Sequence, residues 1–560
     1  MPNNDLSKPT LADALASLET SSLSAIQKRD TRSAVMTFCK ALGGSPRDVP
    51  ANAAYIRRKF EGLSYLALGL SKGRWSNVKT GIVRAVSLVG RTYPSRNTAP
   101  LLSEWSALLA ALPSPMRRKL SAGARYFSRE GILPDATTLD DLHRYRDVIL
   151  NDRLRANAES AWDHFLWAWN RAATLHPSSW PQTVVPRPVK RDIYVFPFAY
   201  FPPSFEADVR AYADRLANTD FDDDGPVRPA KPATISTRTY QLRAAASALA
   251  HSGVDPAAIT QLAFLVEIDN FKTILHFFMK RAGGGTSSNV AQMATCLRNV
   301  ARHMVKVDEE HERKITSLCR KVAVPTGGLT TKNRERLRPF DDTVVAGEFL
   351  QLPETIRRHV ERDKRTPAQK AVLAQVAAAI AILQAIPIRI ANLVSIDLHR
   401  HLKQQRSSVH LVIPEAETKN RQAVDFRVPD YALDILKWYV VNYRQHLEHE
   451  PTSALFPGRG GGHKSAHTLG QQIKQTVFKF TGLAFNVHLF RHFAGKVFLD
   501  QQPGGYEVVR QVLRHKRIDT TTSFYAGAEV QRASTLFNDI IDGLRREHPV
   551  APRKQSKVRS

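Results

Sequence analysis

Apolar residues recur at helical spacing along most of this 560-residue chain, and an alternating pattern replaces that spacing at "SSVHLVIP" (407–414) and "AVDFRVP" (423–429). Period two buries one face of a strand, whereas residues spaced three and four apart bury one stripe of a helix. Between the two alternating runs lies a turn containing "ETKNR", so they pair as a hairpin. The chain is therefore expected to be mostly helical, with strands confined to its C-terminal third. Its length exceeds what one hydrophobic core serves, which predicts two to four domains.

Breaks in the pattern suggest where those domains begin and end. Residues 1–100 read as a helical region in which "QKRDTRSAVMTFCKALGG" runs into paired glycines that cap a helix. Residues 101–190 form a second helical block, and the proline-rich stretch from Pro181 to Pro203 reads as a linker. A third helical region spans 204–322, where "STRTYQLRAAASALAHSG" again ends on glycine and Asp255-Pro256 opens the next helix. Two basic helices with glycine stops hint at two similar modules. "VPTGGLTTKNRERLRPF" (324–340) is then a basic second linker, read either as a strap along phosphates or as a solvated tether. Residues 335–545 make the last domain, in which Thr366-Pro367 starts a long helix that Pro387 interrupts just before Arg389. Residues 546–560 are a basic tail.

Lys and Arg number 80 against 52 Asp and Glu, a formal charge of +28. A surplus this large repels itself unless a polyanion offsets it, so nucleic acid is the expected partner. An anionic membrane surface is the alternative, but the sequence reads as having no long apolar run, signal peptide or lipidation site, so a cytoplasmic location is expected. Cys39, Cys296 and Cys319 lie far apart in helical apolar patterns, which suits small buried hydrophobes better than disulfides or a zinc site.

Several motifs have bland readings that outweigh sharper ones. Trp162, Phe165, Trp167 and Trp169 fall at helical spacing, so core packing is favoured over base stacking. "DFDDDG" (220–225) lacks the spacing of a calcium loop, and a solvated loop is expected. In "PGRGGGHKS" (457–465) His463 separates Gly462 from Lys464, which spoils the phosphate-loop pattern and leaves a flexible loop as the better reading.

Arg389 follows the proline break, Lys419 occupies the strand turn, and His488 and Arg491 lie three apart at a helix start. His515 and Tyr525 follow in "LRHKRIDTTTSFYAG" (513–527). Two arginines, a lysine and two histidines around one phenol are what phosphodiester transesterification needs. Arginine forks onto two phosphate oxygens and stabilises the extra charge of a pentavalent transition state. A positive pocket favours the phenolate of a tyrosine whose ordinary pKa is near 10. A lysine supplies the proton that a leaving 5′ oxygen requires.

"IPIRIANLVSIDL", "TKN", "HLFRH" and "LRHKRIDTTTSFYAG" occur over roughly 335–545 in an order and spacing that resemble the tyrosine recombinase (phage integrase) family. The resemblance implies a mainly α fold with a small antiparallel β-sheet in the catalytic domain, preceded by helical DNA-binding domains, with 204–322 supplying a core-binding domain. It implies Arg389 and Arg491 as phosphate ligands, Lys419 as general acid, His488 and His515 as the histidines, and Tyr525 as nucleophile. It also implies a homo-multimer, a tetramer on paired sites, acting on double-stranded DNA without cofactor or metal, with helper recombinases or accessory DNA-bending proteins as further candidate partners. Asn392 stands where the family has an acidic residue, Arg514 where it has glycine, and Tyr525 one residue beyond the usual place, which Phe524 takes. His492 fits packing, while His399 and His401 read as exposed loop residues. Two rival readings are a catalytically silent DNA-binding protein and a type IB topoisomerase-like enzyme.

Overall fold

The computed structural model describes residues 9–89, 100–152, 157–186, 194–218, 228–324, 328–419, 421–525 and 530–547. The fold is mainly α with one small antiparallel sheet, and it divides into two compact units. One is Pro188–Thr326, and the other joins Met1–Arg187 to Gly327–Ser560.

The N-terminal stretch of the larger unit comprises α1 (Leu11–Thr20), α2 (Ala25–Ala41), α3 (Ala53–Glu61) and α4 (Lys72–Val89). Ser24 and Gln27 form a capping box that starts α2, and the expected glycine stop ends it. Gly43 has φ +70, and the amides of Gly43 and Gly44 reach back to the carbonyls of Lys40 and Cys39. Helices α2 and α4 cross at Gly81, where an added Cβ would lie 2.4 Å from that of Ala34. Next come α5 (Ser103–Ala110), α6 (Ser114–Arg129), α7 (Leu139–Asp147) and α8 (Ala158–Leu175). Their separate core holds Trp105, Trp162, Phe165 and Trp169, as packing of the aromatic stripe required. Trp167 instead faces solvent under the Lys119 ammonium, 4.2 Å from the ring centre.

The smaller unit is built of α9 (Pro203–Ala217), α10 (Pro232–His251), α11 (Leu262–Val266), α12 (Ile268–Arg281), α13 (Ser288–Val300) and α14 (Glu309–Lys321). It has its own core around Phe205, Leu249, Phe271 and Leu297. The end of the proline-rich stretch belongs to this core, because Phe201 is buried and Phe196 and Phe198 pack against it. The "DFDDDG" run lies outside the described residues. Cys39 and Cys296 are buried and Cys319 half-buried, all as free thiols.

The C-terminal part contains α15 (Thr331–Leu337), α16 (Thr343–Leu350), α17 (Leu352–Arg362), α18 (Pro367–Ala385) and the short α19 (Ile390–Val394). The basic second linker is thus helical from Thr331. It is pinned by Leu337 and Phe340, whose apolar side chains are buried beside Phe349, Phe485 and Phe493. Helix α18 corrects the expectation of no long apolar run: it is long and apolar enough to cross a bilayer. Its residues from Leu373 to Leu383 are buried in the main core, which explains an apolar surface on all sides.

The sheet is β1 (Leu402–Gln405), β2 (Ser408–Ile413) and β3 (Val424–Arg427), antiparallel in that order. Leu411 faces Leu402 on one side and Phe426 on the other. The alternating runs supply β2 and β3, while β1 is added from a polar segment without alternation and lies at the sheet edge. Helices α20 (Asp430–Asn442), α21 (Ala466–Thr481), α22 (Val487–Gln501), α23 (Tyr506–Leu513), α24 (Ile518–Tyr525) and α25 (Val530–Glu547) complete the chain. The "PGRGGGHKS" loop closes on itself, with the Gly458 amide on the Gly462 carbonyl at 3.0 Å and the Lys464 amide on Phe456 at 2.8 Å.

Candidate functional site

Pro387 ends α18, and the chain runs extended through Arg389 (φ −75, ψ 151), which caps α19. The break frees the Pro387 carbonyl, which accepts from Arg491 Nη1 at 2.5 Å. Arg491 lies in the first turns of α22, whose N-cap Asn486 accepts from the Leu489 amide. The other end of its fork donates to the carbonyl of Leu513 at the C-terminus of α23. Helix ends leave carbonyls unpaired and carry partial negative charge, so one buried guanidinium, 6% exposed, fastens the ends of two helices together. The segments it joins carry Arg389 and His515.

Arg514 turns the chain out of α23 in the left-handed region, φ +52, at the position where glycine is expected. Its guanidinium lies 5.0 Å from the Phe426 ring centre, which ties this turn to β3. The His515 amide donates to Arg510, whose guanidinium returns a bond to the His515 carbonyl, each at 3.0 Å. Nδ1 of His515 is 3.0 Å from the hydroxyl of Thr521, which is fully buried. Thr521 was not singled out in the sequence. Its signal was a polar residue six positions after His515 on the face of α24 that turns inward.

His488 is exposed at the start of α22. Its Nε2 is 3.2 Å from that of His492, which is buried as its packing role required. The His492 ring packs 5.2 Å from Phe524. Partial desolvation, then Arg491 and Arg389, lower the pKa of His488. Burial, followed by Arg491, Arg389 and Arg510, pulls His515 down to about 4. His492 falls to about 3, through burial first and then His488, Arg491 and His515. Burial likewise lowers Arg389. The imidazoles therefore stay neutral beside two guanidinium groups, a pocket suited to an anion with several oxygens.

Arg389 and Arg491 thus each act electrostatically on both His488 and His515, groups drawn from three separated segments. Lys419 is exposed on the β2–β3 connection, on the sheet that meets the His515 turn through Phe426. Tyr525 is the last residue of α24; its side chain lies outside the described residues. Phe524 is half-buried against the small cluster of Leu499, Val509 and Leu513, so its ring is spent on packing. Asn392 is buried in α19.

Residues 356–532 match the model of the phage integrase family. No curated protein matches the chain. Solved structures that resemble it include XerH site-specific recombinase bound to difH substrate in a pre-cleavage complex, with 14% identity over 55% of this chain and 79% of that one, at a TM-score of 0.34. A lambda integrase dimer bound to a COC' core site has 12% identity over 66% and 88%, at 0.36. The integrase from mycobacterium phage Brujita has 14% identity over 59% and 91%, at 0.20.

Proposed function

We propose that this chain, whose residues 356–532 match the phage integrase family model, is a site-specific DNA recombinase of the tyrosine recombinase type that cuts and rejoins duplex DNA through a covalent 3′-phosphotyrosyl intermediate. What supports this reading is that Arg389 and Arg491 both act on His488 and His515 and, together with burial, keep their imidazoles neutral. The two guanidinium groups hold the scissile phosphate and offset the charge that builds at phosphorus. A neutral imidazole is available to accept the phenol proton of Tyr525. The phenolate oxygen bonds to phosphorus as the bond from phosphorus to the 5′ oxygen breaks, and that oxygen leaves with a proton from Lys419. The phosphotyrosyl ester keeps the energy of the broken bond, so religation by a 5′ hydroxyl reverses the step without ATP or metal.

On this reading the unit around α9 to α14 supplies the core-binding half of a clamp on the duplex. Copies of the chain assemble as a tetramer on paired sites, with helper recombinases or bending proteins as further partners, and the reaction moves or resolves a mobile element. The test is a nicked suicide duplex that traps the adduct. Wild-type protein is expected to form a covalent complex mapped by peptide analysis to Tyr525, while Tyr525→Phe binds the duplex and forms none. An adduct on another residue overturns the nucleophile assignment. Retardation of DNA without any adduct returns the silent binder, and relaxation of supercoiled DNA by monomer without strand exchange returns the topoisomerase-like enzyme.

A further inference from the structure

His401 departs furthest from its sequence reading. His399 is exposed as expected, but His401 is 1% exposed, in the turn that leads from α19 into β1. Its Nδ1 accepts the backbone N–H of Asp397 at 2.9 Å, so the proton of the neutral ring resides on Nε2. That nitrogen donates to Glu417 Oε2 at 3.1 Å, and Arg400 donates to Glu417 Oε1 at 2.5 Å. Both carboxylate oxygens are thereby held.

The floor beneath this pair is itself fastened. Asp397 accepts from the amides of His399 and Arg400 at 2.9 Å each and from the hydroxyl of Ser453. The His401 carbonyl takes the amide of Val412 in β2 at 2.8 Å. On the opposite side, Glu417 ends a single 3₁₀ turn, Glu415–Glu417, two residues before Lys419. Thr418 is 2% exposed, and its hydroxyl donates to the Glu415 carbonyl and accepts the Gln422 amide, each at 3.0 Å. The connection is therefore anchored on both flanks of Lys419, which is itself exposed.

A lysine carries its charge on a flexible four-carbon stem, and a proton donor acts only within hydrogen-bond reach of its acceptor. Fixing the base of the stem decides how often the ammonium arrives. We propose that Glu417, seated by His401 and Arg400, is a positioning residue that aims Lys419 at the departing 5′ oxygen. This rests on the reading of Lys419 as the proton donor.

The experiment compares single-turnover cleavage of an ordinary duplex with that of a duplex carrying a 5′-bridging phosphorothiolate, whose sulfur departs without protonation. Glu417→Ala, at an exposed position, is expected to slow the ordinary reaction roughly tenfold or more and to regain most of the loss on sulfur, with duplex affinity unchanged. Glu417→Gln keeps an acceptor for His401 and is expected to stay within about threefold of wild type. His401→Phe should share the Glu417→Ala pattern if its thermal melt shows a folded chain, and where it does not fold, Glu417→Ala decides. A Glu417→Ala enzyme that cleaves normally, or one slowed equally on both substrates, overturns the positioning role. Lys419→Ala is run beside it: failure of sulfur to restore that variant overturns the proton-donor reading itself, a separate outcome from normal restoration of Lys419→Ala with no leaving-group effect at Glu417.

Discussion

Arg491 is almost fully buried and donates to the carbonyls of Pro387 and Leu513, whereas Lys419 is exposed on a connection that is fastened only at its flanks. The difference suits the tasks that the proposed chemistry sets. Charge that develops on a phosphate is best stabilised by donors that do not reorganise when it appears, and a guanidinium braced by two helix ends meets that demand. A proton donor must instead approach a leaving oxygen at one moment of the reaction, and an ammonium on an exposed turn retains that freedom. Buried guanidinium and exposed ammonium thus divide the site into a preset part and a mobile part.

The sharpest way to break the comparison is Arg491→Ala. On the proposed reading it removes a transition-state contact together with the brace between the segments carrying Arg389 and His515. Cleavage is expected to fall by about a thousandfold or more, with no restoration on phosphorothiolate DNA. Stability is expected to fall by about 3 kcal/mol, because two charged hydrogen bonds are lost and two carbonyls are left inside. Urea melts and single-turnover rates measure both. A stable variant with a modest rate loss would leave Arg491 as an ordinary buried residue.

Lys419→Ala should show the opposite pattern. The expected loss is roughly a hundredfold on ordinary DNA, nearly all regained with a sulfur leaving group. The change in melting should stay within about 0.5 kcal/mol, as for other exposed positions. Equal defects on the two substrates would make Lys419 a binding residue.

The smallest effect reads the preset part through pH. His515 and His492 have folded pKa values of about 4 and about 3, against about 6.5 for an unfolded histidine. Between those limits the unfolded chain binds protons that the folded chain refuses. Stability is therefore fully present above about pH 6.5 and declines as the pH falls toward 4, by up to about 1.4 kcal/mol per unit for each histidine. His492→Gln should flatten the slope of melting temperature against pH between 5 and 7. A wild-type protein equally stable at both ends of that range would show that the imidazoles are not held neutral.

Local patterns made much of this molecule legible from its residues. Helical spacing and the Gly43 stop define α2, alternation defines β2 and β3, and Pro387 marks the end of α18 just before Arg389, because each depends on backbone preferences within a few residues. The candidate residues can likewise be picked out by type and order, since few side chains hold a phosphate or donate a proton to an alkoxide. What local pattern does not encode is which groups pair across long separations. Strand β1 exists because a polar segment finds the edge of β2, and the basic linker becomes a helix because Leu337 and Phe340 reach a distant core. The brace of Arg491 on Pro387 and Leu513, the seat of His515 on Thr521 and the burial of His401 against Glu417 join residues that alone would read as ordinary surface charge or loop. Chain folding brought them together, and the free energy of burying a charge or an imidazole depends on the partners waiting there.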